Sequence, residues 1–216
     1  VQLNQCGYMM EQTIKKISTV YSLIIFSAAG LLLYGVTHFL IPFLTQVTGI
    51  EMILWWFITG GLCVFTPLII TGIIVLHKEG YTLNKKTLRD RLRFKRVTNK
   101  DLTWSIGGII TIMICSGLLM KLIEIFIGNF NHSPSFMSFE PLSGTRYFFL
   151  LVWLPYWLLN ILGEEFLWRG VLFPRQEVIF GKQTWIFHGF GWAIFHIPFG
   201  WKLLITVAPI LFIQTY

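Results

Sequence analysis

The sequence predicts an all-α, polytopic bundle of transmembrane helices, and three observations predict it. Of its 216 residues, 55% are hydrophobic and only 12% charged, whereas a soluble domain carries about 25% charged residues. Aromatic residues make up 17%, with 20 Phe and 9 Trp. The apolar residues are gathered into uncharged runs of the roughly 20 residues that a spanning helix needs. A disordered or nucleic-acid-wrapping chain is excluded, and an ordinary soluble domain fits the composition poorly.

Residues 1–16 form an N-terminal tail. It begins at Val1, and Met9-Met10 opens the more natural MEQTIKK, so residues 1–8 read as upstream sequence or a fragment edge. The apolar run after Lys15 and Lys16 is far longer than a signal-peptide core and has no small-residue cleavage site, so it stays in the mature protein. Residues 17–76 hold two spanning helices, 17–44 and 52–76, and the Gly30, Gly35 and Pro42 of the first are tolerable in a membrane helix. Residues 77–101 are a basic loop, and its TLRDRLRFKR part is expected to lie as a short amphipathic helix on the membrane surface.

A third run, 102–120, ends at Lys121 and Glu124, which are three apart on one helical face and able to pair. Residues 128–146 are a Asn-, Ser-, Pro- and Gly-rich loop. A fourth run, 147–173, is apolar apart from Glu164, Glu165 and Arg169, and the charged segment from Pro174 to Lys182 is expected to end it. Residues 183–200 make a fifth helix. A sixth begins at 203 and stops at Tyr216, too short to cross at about 1.5 Å per residue. The expectation is six membrane segments in a C-terminally incomplete chain.

The net charge of +7 is explained by its placement. Nine of the 17 basic residues, Lys78, Lys85, Lys86, Arg89, Arg91, Arg93, Lys95, Arg96 and Lys100, fall in the loop between the second and third runs. That is the pattern of a cytoplasmic loop, suited to anionic lipid rather than to nucleic acid. Putting Lys15, Lys16 and this loop in the cytoplasm also places Arg175 and Lys182 inside and leaves the alternate links nearly free of basic residues. Cys6, Cys63 and Cys115 are odd in number, lack CxxC spacing and read as small hydrophobes. No internal repeat of a transporter is visible.

The charged cluster of the fourth run carries the chemistry. Glu164 lies 17 residues after Tyr147, about 26 Å along a helix, which places both glutamates inside the bilayer towards its cytoplasmic side. Ionisable groups there mark a functional site by default. At about 100° per residue, Glu165 and Arg169 fall about 40° apart and form an ion pair, whereas Glu164 and Arg169 fall about 140° apart. Glu164 is therefore left free to act as a general base. His196, in FHGFGWAIFHIP, follows Trp192 by one turn and His188 by two. A Glu and a His facing each other across a bundle can bind and activate water, with zinc or without it. Plainer readings stay open: acids that hold helices together, and a histidine bonded across an aromatic face. His188, His38 and His132 read as structural or solvated, and the NHS at 131–133 as a chance sequon.

These motifs resemble a known family. EExxxR stands at Glu164-Glu165-Phe-Leu-Trp-Arg169, Trp192-Ala-Ile-Phe-His196 follows some 30 residues on, and LRDRLRFKR precedes both. The chain is similar, over residues 80–216, to the CAAX-protease and bacteriocin-processing (Abi) family of intramembrane endopeptidases. The family's second motif normally has Phe where Trp192 stands, and its third, HxxxN or HxxxD, would lie beyond Tyr216. The resemblance implies that 102–216 is an incomplete catalytic core. It also implies that Glu164 activates water with Glu165 assisting, Arg169 orders the pair, and His196 holds the water or a zinc ion shared with Glu164. The implied partners are the lipid bilayer and a membrane-associated substrate, either a prenylated CAAX protein or a bacteriocin or leader peptide. The alternative is a non-catalytic immunity or scaffold protein. A Lys-, Ile- and Phe-rich chain suits a bacterial cell membrane better than the endoplasmic reticulum.

Overall fold

The computed structural model describes residues 14–92, 96–128, 133–134 and 142–215; His132 and most of the 128–146 link lie outside them. All regular structure among these residues is helical. Four stretches are long and apolar enough to cross a membrane: Thr19–Thr48 (α1), Met52–Lys78 (α2), Asn99–Ile127 (α4) and the stretch Gly144–Phe199. The last merges two expected segments. It contains a long helix over 149–180 (α5), a turn at Gly181–Gln183 and the helix Thr184–His196 (α6). Trp201–Ile213 (α7) is a shorter apolar helix. The six expected segments are thus four spans and a short helix, the fourth span carrying two of them.

Proline shapes three of these helices. The hydrogen bonds of Ile41, Thr66 and Phe173 reach five residues back, to Val36, Gly61 and Trp168, closing the wide turns Val36–Leu40, Trp56–Phe65 and Glu165–Leu172. The next residue in each case is a proline: Pro42, Pro67 and Pro174. A proline ring collides with the carbonyl four residues back and brings no N–H to it, and a locally wider turn opens room for the ring. For this reason Pro174 does not end the fourth run: α5 continues to Phe180 and the chain turns at Gly181, whose φ of 52° suits glycine.

α1, α2, α5 and α6 form the central bundle, while α4 packs chiefly along α7 and has no buried residue. The core centres on Trp168, which stacks on Phe26 at 4.5 Å and meets Phe195 at 5.5 Å. Small residues set the crossings, as membrane packing requires. Gly30 of α1 lies against the backbone of Ile194 and Phe195 in α6, and Gly163 of α5 lies against Phe65 of α2. A Cβ at Gly163 would stand 2.8 Å from the Phe65 carbonyl oxygen, and backbone cannot swing away. Gly163→Val is accordingly expected to destabilise the bundle by about 3 kcal/mol in a detergent unfolding titration. Gly107→Ala, which meets nothing within 4 Å, serves as the unaffected comparison.

Two sets of ion pairs mark opposite ends of the bundle. Glu51, just before α2, pairs with Arg146, just before α5, at 2.7 Å. Glu79, just after α2, pairs with Arg91 at 3.0 Å and with Arg175, late in α5, at 2.6 Å. α2 and α5 therefore run in the same direction. The basic segment between α2 and α4 forms a six-residue helix, Lys85–Asp90 (α3), capped by the Asn84 side chain. It does not simply lie on a surface, because Arg91 and Leu92 directly after it are buried against α5. Lys121 and Glu124 pair at 3.3 Å on α4.

Candidate active site

Glu164 and Glu165 sit where α5 passes from an ordinary turn into the wide one. Their side chains diverge. Arg169 Nη1 bridges both oxygens of Glu165, at 2.5 and 2.6 Å, as the one-turn spacing requires. Glu164 takes a different set of partners: Asn160 Nδ2 donates to Oε1 at 3.1 Å, and Trp192 Nε1 donates to Oε2 at 2.6 Å. Asn160 lies one turn earlier on the same helix, and Trp192 reaches across from α6. Among the described residues, the hydrogen-bond partners of Glu164 are thus neutral N–H donors, and the arginine beside it serves its neighbour.

Trp192 is the hub of this arrangement. Its indole N–H holds Glu164, its ring carries the Arg169 guanidinium at 4.8 Å from the centroid, and its backbone carbonyl accepts from His196 Nδ1 at 2.9 Å. Because a carbonyl can only accept, Nδ1 bears the proton and Nε2 is left as the basic nitrogen. His196 is flanked by Trp192, Phe195 and Phe199, at 5.8, 5.0 and 5.6 Å between ring centres. Tyr156, about two turns before Glu164 on the same helix, closes an aromatic wall with Trp56 and Phe65. Arg169 Nε and Nη2 are buried with no hydrogen-bond partner among the described residues.

The structure thus brings together all four residues singled out in the sequence, Glu164, Glu165, Arg169 and His196. The sequence reading missed Asn160, Tyr156 and the bonding role of Trp192. The signal for the last was present: Trp at a position where the family has Phe adds an N–H donor. His188 is fully buried and takes no part in these bonds. Its Nδ1 donates to Gln176 Oε1 at 2.6 Å and Gln176 Nε2 donates to Ser22 Oγ at 2.6 Å, which ties α6, α5 and α1 together. His38 stacks on Tyr34 at 4.3 Å.

Zinc requires three protein ligands in a catalytic site. Glu164 and His196 supply two, and both Glu164 oxygens already accept N–H bonds. Among the described residues no three His, Cys, Asp or Glu side chains converge, so these residues do not by themselves make a zinc centre. Outside the membrane spans, burial raises the Tyr81 phenol above its ordinary value near 10, with Arg91 lowering it and Glu79 raising it further.

Fold and site together define a multi-pass helical membrane protein with a paired-carboxylate cluster inside its bundle. Residues 146–216, which contain every residue of that cluster, match the family model Rce1-like, described as Type II CAAX prenyl endopeptidase Rce1-like. The matched stretch, about a third of the chain, includes both the EExxxR and the WxxxH motif. No curated protein and no solved structure matches the chain.

Proposed function

We propose that the chain carries the water-activating part of an intramembrane endopeptidase that hydrolyses a peptide bond in a membrane-associated protein or peptide. The observation that carries the reading is the division of labour between the two acids. Arg169 neutralises Glu165, while Glu164 is oriented by two neutral donors and keeps its capacity to take a proton. In the proposed step, a water held between Glu164 and His196 Nε2 loses a proton to Glu164 as its oxygen bonds to the substrate carbonyl carbon. The C–N bond then breaks and the proton passes to the leaving amine nitrogen. The free Arg169 N–H groups are donors for the substrate carbonyl. Tyr156, Trp192 and Phe199 give the apolar surroundings that a lipid-modified or transmembrane peptide requires.

The test is cleavage of a membrane-presented peptide by the purified full-length protein in nanodiscs, read by mass spectrometry. Two substrates are compared, a prenylated C-terminal CAAX peptide and an unprenylated leader-type peptide. Cleavage of either at a single bond supports the peptidase, and the preference between them assigns the substrate class. Binding without cleavage of both would replace the proposal with the immunity or scaffold reading.

A further inference from the structure

The wide turn that follows Glu164 ends with Gly170-Val-Leu172, and Phe173-Pro174 open the regular helix after it. Phe173 N–H reaches five residues back to Trp168, so an N–H at 174 would serve the Arg169 carbonyl in that wide register and the Gly170 carbonyl in a regular one, and proline has none for either. A donor comes instead from 79 residues away: Arg91 Nη1 binds the Gly170 oxygen at 2.9 Å. The rest of that guanidinium is held equally firmly. Arg91 Nε donates to Glu79 Oε2 at 3.1 Å, and the other Glu79 oxygen accepts from Arg175 Nε at 2.6 Å. The Arg91, Glu79 and Arg175 side chains are 1%, 4% and 15% exposed, and the Tyr81 ring lies 5.9 Å from the Arg91 guanidinium. Leu92 fills the space beside Gly170, where a Cβ would stand 3.1 Å from its Cδ2. Contacts from Nε, Nη1 and Nη2 to separate acceptors suit the arginine fork and not the single ammonium of lysine.

We propose that Arg91, anchored by Glu79 and Arg175, is a positioning residue. It closes the helix bond that Pro174 leaves open and so fixes the turn that sets Arg169 and Glu165 beside Glu164. The basic segment after α2 is then part of the site's framework. The activity arm of the test rests on the peptidase reading; the spectroscopic arm does not.

The experiment uses the full-length protein in nanodiscs with Arg91→Met, Pro174→Ala and the two combined. The readout is the indole N–H resonance of Trp192, assigned by its loss in Trp192→Phe, since that proton is bound to Glu164. Arg91→Met is expected to shift this resonance and to lower kcat about tenfold with KM nearly constant, the cost of a small misplacement. Pro174→Ala alone should leave the resonance in place. The combination should return most of the shift, because the restored amide at 174 can bind the Gly170 carbonyl. If Arg91→Met does not accumulate, Arg91→Lys, which keeps the charge beside Glu79 but not the fork, carries the same comparison. A melting point that falls while the resonance stays fixed would mean a structural staple only and would overturn the proposal. So would a combined variant no closer to wild type than Arg91→Met. If the wild-type protein cleaves nothing, the peptidase reading fails while the resonance still decides the positioning role.

Discussion

Glu164→Gln is expected to reduce peptidase activity by about a thousandfold, within the range for loss of a general base, while the protein still folds and inserts. Glutamine has the shape of glutamate but cannot take a proton from water at neutral pH. Its carbonyl oxygen still accepts one of the two N–H bonds that Glu164 accepts. Its amide must face the other donor, so the folding cost is that of one lost hydrogen bond, about 1 kcal/mol. A large loss of rate with a small loss of stability is the signature. Trp192→Phe is the informative companion, because it deletes the indole donor, preserves an aromatic ring beside Arg169 and leaves the Glu164 carboxylate in place. It should cost less activity than Glu164→Gln. The measurement is single-turnover cleavage of a membrane-presented peptide at matched protein levels, with thermal unfolding alongside. Equal rates for wild type and Glu164→Gln would remove Glu164 from the chemistry.

Much of this architecture was legible because a membrane simplifies sequence reading. Uncharged runs long enough to span marked α1 and α2 within four residues and the body of α4, which continues seven residues past the expected end, since no water is present to satisfy an exposed backbone. The Glu165–Arg169 pair followed from spacing alone, because four residues place two side chains on one face whether the turn is ordinary or slightly wide. Pro174 was misread for a physical reason. A proline ends a helix when its missing N–H is costly, and here the freed Gly170 carbonyl is served by Arg91 from a distant segment. No local pattern announces such a contact. The same holds for Trp192: its spacing to His196 was visible, but its bond to Glu164 depends on how α6 crosses α5. A short helix was expected over 87–96, and α3 shares only 87–90 with it; the burial of Arg91 beside it was not expected, because a lone Arg in a basic run looks like one more surface charge.

Arg169→Ala is expected to destabilise the protein more than any other charge removal in the cluster. Arg169 Nη1 holds both Glu165 oxygens, and its guanidinium lies over the Trp192 ring. Its removal strands a carboxylate inside the bundle and frees the indole that orients Glu164. Breaking one side of a fully buried pair costs about 3–5 kcal/mol. Glu165 is 37% exposed, so the expected loss is nearer about 2 kcal/mol. If the stranded charge is the cause, neutralising it helps: the double variant Glu165→Gln with Arg169→Ala should recover roughly half of the loss in a detergent unfolding titration. If the lost cation–π contact with Trp192 were the larger part, the double variant would be as unstable as Arg169→Ala, and the ion pair would not be what holds this turn. Activity separates the two further. The double variant keeps Glu164, Trp192 and His196, so recovered stability with activity still depressed would show that Arg169 acts on the reaction through Trp192 or through its free N–H groups, beyond its pairing with Glu165.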